Sequence, residues 1–64
     1  MTAAVRVPQL LTVTETMGVL KVSRATLYRL FAAGELRWVQ IGAHRRISVA
    51  EVQRFITANA KASA

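Results

Sequence analysis

The chain has 64 residues, 53% of them hydrophobic, and nine lysines and arginines stand against three acidic residues for a net charge of +6. Such a chain makes one small domain; its apolar content excludes a disordered basic tail, and the absence of cysteine excludes disulfide or cysteine–zinc staples. The charge points to a polyanionic partner, nucleic acid before an anionic membrane, with simple solubility as the plainer alternative.

Met1 to Gln9 read as a flexible lead, because Pro8 and the lack of periodicity argue against an element there. Arg6 reads as a solvated terminal charge, and Leu10 and Leu11 as the first residues to join a core. Thr12-Val13-Thr14-Glu15 fits a capping box, with Thr12 as N-cap and Glu15 at the third helical position. Val13, Met17 and Leu20 follow at i, i+4 and i+7, one apolar stripe of a short helix. Gly18 costs that helix about 1 kcal/mol relative to alanine, and a close approach by a neighbouring helix would account for it. Lys21 and Val22 alone connect to the next cap at Ser23. So short a connection forces a steep crossing, a helix-turn-helix, with Val22 as the wedge.

Ser23 is a good N-cap, and Leu27, Leu30 and Phe31 form the inward stripe of the second helix. The opposite face carries Ala25, Tyr28 and Arg29, with Arg24 beside it near the start. Gly34 ends the helix. A short helix with one apolar side and one basic side suits the major groove of DNA. Beyond it, Val39-Gln40-Ile41 alternates and Trp38 and Val39 favour strand. Gly42-Ala43-His44 reads as a turn and Arg45-Arg46-Ile47 as the returning strand, with Ile47 inward, which makes a small basic hairpin. Ser48-Val49-Ala50-Glu51 is a second capping box. Val49, Val52, Phe55 and Ile56 give the last helix an inner face, with Arg54 turned outward. The expected fold is mainly α with a small β-hairpin, a winged helix-turn-helix over residues 10–58, followed by an alanine-rich tail at 59–64. No stretch approaches the roughly 20 apolar residues of a bilayer span, and no signal peptide is apparent.

Within this frame Arg29 is placed to reach a guanine edge, and Arg24 to grip phosphate. Ser23 and Thr26 offer hydroxyls to phosphate, and Ser23 also caps. Tyr28 either bonds a phosphate or shields the edge of the core. Ala25 allows close approach or touches a thymine methyl, and helix propensity explains it equally well. Strand alternation lets one of Arg45 and Arg46 face DNA fully; Arg46 is favoured and Arg45 is the second choice. His44 at the turn is a candidate DNA contact and has no visible metal partners. Trp38 reads as a packing residue. Lys21, Arg37, Arg54 and Lys61 read as general electrostatics.

Leu11-Thr12-Val13-Thr14-Glu15, Leu20-Lys21-Val22-Ser23-Arg24-Ala25-Thr26-Leu27-Tyr28-Arg29, Gly34-Glu35-Leu36, Val39-Gln40-Ile41-Gly42 and Arg45-Arg46-Ile47-Ser48 stand in a fixed order. In that order and spacing the chain resembles, over residues 10–57, the excisionase-type winged helix, a branch of the MerR-like helix-turn-helix proteins. The resemblance implies a second helix in the major groove and a wing against the adjacent minor groove or backbone. It implies binding and bending of phage or plasmid attachment-site DNA, cooperative self-association on that DNA, and a tyrosine integrase directed towards excision. Other members are small transcription regulators. The chain differs from MerR regulators proper in lacking their long dimerising helix and effector domain, and Ala43-His44 stand where relatives are often more basic. The implied place of work is the bacterial cytoplasm, at the nucleoid.

An enzyme reading finds no nucleophile with its base, no paired carboxylates and no phosphate loop, so no catalytic residue, cofactor or metal is expected. Glu15 and Glu51 are both explained as capping residues. Three functional readings follow: an excisionase, a small transcriptional regulator using the same surface, and an adaptor whose basic face meets an acidic protein.

Overall fold

A computed structural model describes residues 9–61 of the chain. The flexible lead expected at 1–9 falls outside the described residues except for Gln9, whose carbonyl accepts from the Val49 N–H at 2.8 Å. The elements run β1 (Leu10–Thr12), α1 (Val13–Leu20), α2 (Arg24–Ala32), β2 (Val39–Ile41), β3 (His44–Ser48) and α3 (Val49–Asn59). The strands form one antiparallel sheet in the order β1-β3-β2. This is a winged helix-turn-helix. The expected hairpin is present, and β1 adds a third strand to it, paired as Leu10↔Ser48, Leu11↔Ile47 and Thr12↔Arg46. Three residues are too few to show a period of two, so the sequence shows no strand here. Of the two leucines expected in the core, Leu11 packs against it half-buried, whereas Leu10, on the opposite face of the strand, stays 38% exposed.

Local chemistry sets the helix ends. The Thr12 N–H donates to Glu15 Oε1 at 2.8 Å and the Glu15 N–H donates to Thr12 Oγ1 at 3.0 Å, a complete capping box. α2 ends in a Schellman motif. The Gly34 N–H donates to the Phe31 carbonyl and the Glu35 N–H to that of Leu30, both at 3.0 Å, while Gly34 takes φ +74°. In the wing, Gly42 has φ +59° and Ala43 has no positive φ, the pattern of a type II′ hairpin turn.

Leu27, Phe31, Leu36, Ile47 and Val52 form the buried core, and Leu11, Val13, Met17, Leu20, Val22, Leu30 and Phe55 pack around it half-buried. Each predicted apolar stripe therefore meets the core, but two are rotated. On α1 the fully buried residue is Thr16, one turn before Leu20. Its hydroxyl donates to the Thr12 carbonyl at 2.8 Å, so burial leaves no polar atom unpaired. On α3, Val52 is buried and Phe55 half-buried, whereas Val49 and Ile56 are 39% and 44% exposed. At 100° per residue Val49 and Ile56 share one flank of Val52, and Phe55 and Glu51 share the other. The helix is turned towards the second flank. Gly18 is not explained by a close neighbour, since a Cβ there would meet nothing within 4 Å.

Glu51 accounts for the turn of α3. Ser48 caps the helix by accepting from the Glu51 N–H at 3.0 Å, but the Glu51 carboxylate does not return to Ser48. It accepts instead from the Arg37 N–H at 3.0 Å and from Arg54, whose Nη2 lies 2.6 Å away. Arg54 Nη2 also donates to the Glu35 carbonyl at 2.8 Å. Arg54 is thus no general surface charge: with Glu51 it ties α3 to the segment between α2 and β2.

The Arg54 guanidinium hydrogen bond, helped by the Arg37 N–H and by both positive charges, holds the Glu51 carboxyl at a pKa of about 2, against burial that acts the other way. The folded state thus binds the Glu51 proton less readily than the unfolded chain. Its contribution is complete above the ordinary carboxylate pKa of about 4.5 and is lost as the pH falls from there towards 2. Thermal melts from pH 7 to pH 2 should therefore show an acid limb in that window. Glu51→Gln should flatten the limb and lower Tm at pH 7 by several degrees, as expected for about 1 kcal/mol in a domain this small.

Candidate nucleic-acid interface

The turn between α1 and α2 aims the second helix. Lys21 occupies its left-handed position, at φ 57° and ψ 48°, where glycine or asparagine is the usual residue. The Val22 N–H closes the turn onto the Met17 carbonyl at 3.1 Å. Ser23 then caps α2 by accepting from the Thr26 N–H at 3.2 Å. With Leu27 and Phe31 buried, Arg24, Ala25, Tyr28 and Arg29 are left exposed, as the stripe predicted.

The predicted contact residues separate into two groups. Arg24 and Tyr28 of α2 face His44, Arg45 and Arg46 of the wing across an open cleft of about 570 Å³, whose lining includes Thr12, Thr14 and Gln40 and, among the described residues, no carboxylate. Ser23, Ala25, Thr26 and Arg29 lie outside that lining. Ser23, Thr26 and Arg29 form a separate hydroxyl–guanidinium chain: Ser23 Oγ donates to Thr26 Oγ1 at 3.0 Å, and Arg29 Nη2 donates to the same oxygen at 3.2 Å. The Thr26 hydroxyl is thus an internal partner of Arg29. Sequence reasoning missed Thr14 and Gln40. Arg24 Nη2 reaches Thr14 Oγ1 at 3.5 Å across the helix-turn-helix corner, a proximity with no local sequence signal.

Paired strand residues share a face, and neighbours along a strand alternate. Arg45 therefore lies on the inner face with Ile47, and Arg46 and His44 lie on the outer face with Val39 and Ile41. The Arg45 guanidinium sits over the rings of Trp38, Tyr28 and Phe31. Arg46 is half-buried and donates to the Arg45 carbonyl at 2.9 Å. Trp38 packs edge-on against Phe31, as expected of a packing residue, yet remains 38% exposed.

The acidic residues leave this surface positive. Glu15 is held in the α1 capping box and Glu51 by Arg37 and Arg54. Among the described residues no group of His, Cys, Asp or Glu is arranged to hold a metal ion, and no helix is long and apolar enough to cross a membrane.

A family model described as a helix-turn-helix domain matches residues 10–60. The chain belongs to this helix-turn-helix family, a DNA-binding family that includes excisionase-like proteins. No individual curated protein matches it.

The strained turn gives a direct check on this geometry. A side chain in the left-handed region costs about 1 kcal/mol or more, and glycine returns part of that in chain entropy. Lys21→Gly should therefore raise Tm by a few degrees, whereas Lys21→Val, branched at Cβ, should lower it. Equal melting temperatures for the two variants would mean that the turn is not strained.

Proposed function

We propose that the chain is an excisionase. It binds attachment-site DNA through α2 and the wing, bends it, and directs a tyrosine integrase towards excision. The observation that carries the DNA-binding part is the cleft between α2 and the wing, with cations on both walls and, among the described residues, no carboxylate in its lining. A phosphodiester backbone is the complementary occupant. Arg24 and the Tyr28 hydroxyl meet it from one side and the wing from the other, while Arg29, further along the exposed face, reads a base edge in the major groove. Arg46 and His44, which line the cleft on its wing side, meet that backbone opposite Arg24. Bending costs a few kcal/mol, which wing contacts on curved DNA offset. A single small domain has a short footprint, so neighbouring copies on DNA or the integrase supply the remaining affinity. A small transcriptional regulator would use the same surface, and a helix-turn-helix domain is equally consistent with that role.

Two substitutions separate base reading from phosphate contact. Arg29→Ala should weaken binding to the preferred site by about 1–3 kcal/mol and relax specificity. Arg46→Ala should weaken binding to all sequences alike. The wild-type log–log salt slope should lie near −4 or −5 for roughly five phosphate contacts, and Arg46→Ala should reduce it by about 1. A flat salt response would exclude DNA as the partner.

Excision separates the two functional readings. Gel-shift, bending and recombination assays should show binding to attachment-site DNA over a promoter fragment, and excisive recombination that depends on the protein. Tight promoter binding with no effect on excision by the cognate integrase would establish the regulator instead.

A further inference from the structure

One wing residue joins elements that are remote in the chain. The Arg45 guanidinium carbon lies 4.2 Å from the Trp38 ring centroid, 4.9 Å from that of Tyr28 and 5.4 Å from that of Phe31. The rings support one another edge-on, Tyr28 against Phe31 at 5.4 Å and Phe31 against Trp38 at 6.2 Å. Tyr28 and Phe31 belong to α2, Trp38 precedes β2, and Arg45 is in β3. Three aromatic faces therefore converge on one cation that spans the recognition helix and the wing.

The wing has few other anchors on that side. Val39, Gln40 and Ile41 are all exposed, and the Gln40 side chain is turned back to the Gly42 carbonyl within the hairpin, at 2.9 Å. β1 pairs only with Arg46–Ser48 of β3, so β2 with His44 and Arg45 extends beyond it as a two-stranded ribbon, which has little stability of its own and is free to pivot. A planar, weakly hydrated guanidinium stacked on rings resists that pivot. A lysine ammonium, compact and strongly hydrated, does not replace it.

We propose that Arg45 is a positioning residue, which stacks on Tyr28, Phe31 and Trp38 and fixes the angle of the wing to the recognition helix. The proposal rests on the DNA-binding reading above. It divides the wing arginines by role: Arg46 meets DNA, and Arg45 sets where the wing lies when it does. The spacing between the base-reading face and the wing contact is then a property of the protein before DNA arrives.

The test uses the whole chain and a short duplex selected from a random library for tight binding. In NMR spectra of the free protein, the Arg45 side-chain protons should be shifted upfield by the ring currents, and the shift should persist at saturation with duplex. Arg45→Lys should alter the emission of Trp38, the one tryptophan of the chain. It should weaken binding about threefold to tenfold and lose hydroxyl-radical protection beside the major-groove site while keeping protection within it. A purely structural role would lower Tm but leave the footprint of the folded variant intact, and that result overturns the proposal. Loss of the upfield shift on binding, or wild-type affinity and footprint in Arg45→Lys, also overturns it, because Arg45 would then be an ordinary phosphate contact. The wild-type spectra decide the matter even if the variant is unfolded. A wild-type protein whose amide signals do not move with any duplex refutes DNA binding itself, and the free-protein ring-current shift then judges the stack separately.

Discussion

Side chains along a strand point alternately to opposite faces, and in β3 this constraint decides most of the molecule. Ile47 is completely buried, so the face it takes is fixed by the core. Arg45, two residues earlier, must share that face, and Arg46 and His44 must take the other. A slip of one residue would bury a guanidinium and expose the isoleucine. The pairings Leu11↔Ile47 on one side and Gln40↔Arg45 on the other hold the register from both edges. From the single requirement that Ile47 be inside follow the third strand, the outward arginine and the cation over the rings.

The core is small, five buried hydrophobic residues with half-buried neighbours among the described residues, and with no cysteine in the chain no disulfide supports it. A domain of this size works with a narrow margin, so the devices at element ends carry a large share of its definition. The Thr12–Glu15 box starts α1, Ser23 starts α2, and Gly34 stops it. Glu51 leaves its expected capping partner to hold the Arg37 N–H and Arg54. Glu51 and Arg54 therefore join the last helix to the backbone on either side of the buried Leu36. Thr16 illustrates the same economy: a polar side chain is buried where helix geometry lets its hydroxyl bond the carbonyl one turn back.

The functional surface arises partly by subtraction. Two of the three acids are held in structural hydrogen bonds, and among the described residues no carboxylate lines the α2–wing cleft, where arginines stand on both sides. The cations also differ in how they are held. Arg54 is bound to Glu51, Arg45 lies on aromatic faces, and Arg29 is bonded to Thr26. Net charge alone treats them as equivalent, yet their hydrogen bonds and stacking give them different reach.

The sequence by itself determined the helices, their caps, the hairpin and the basic character of α2. These depend on neighbours within about four residues, where hydrogen-bond spacing and the periods of 3.6 and 2 act directly. It also determined that Leu27, Phe31 and Ile47 go inward. Only the tertiary structure decided how far each stripe is rotated, that Val49 and Ile56 stay exposed, that β1 completes the sheet, and that Arg54 is a tie. It alone brought Thr14 beside Arg24 and the Tyr28, Phe31 and Trp38 rings under Arg45. Each of these unites residues distant along the chain, and the choice among their possible partners is made by packing, which no local period encodes.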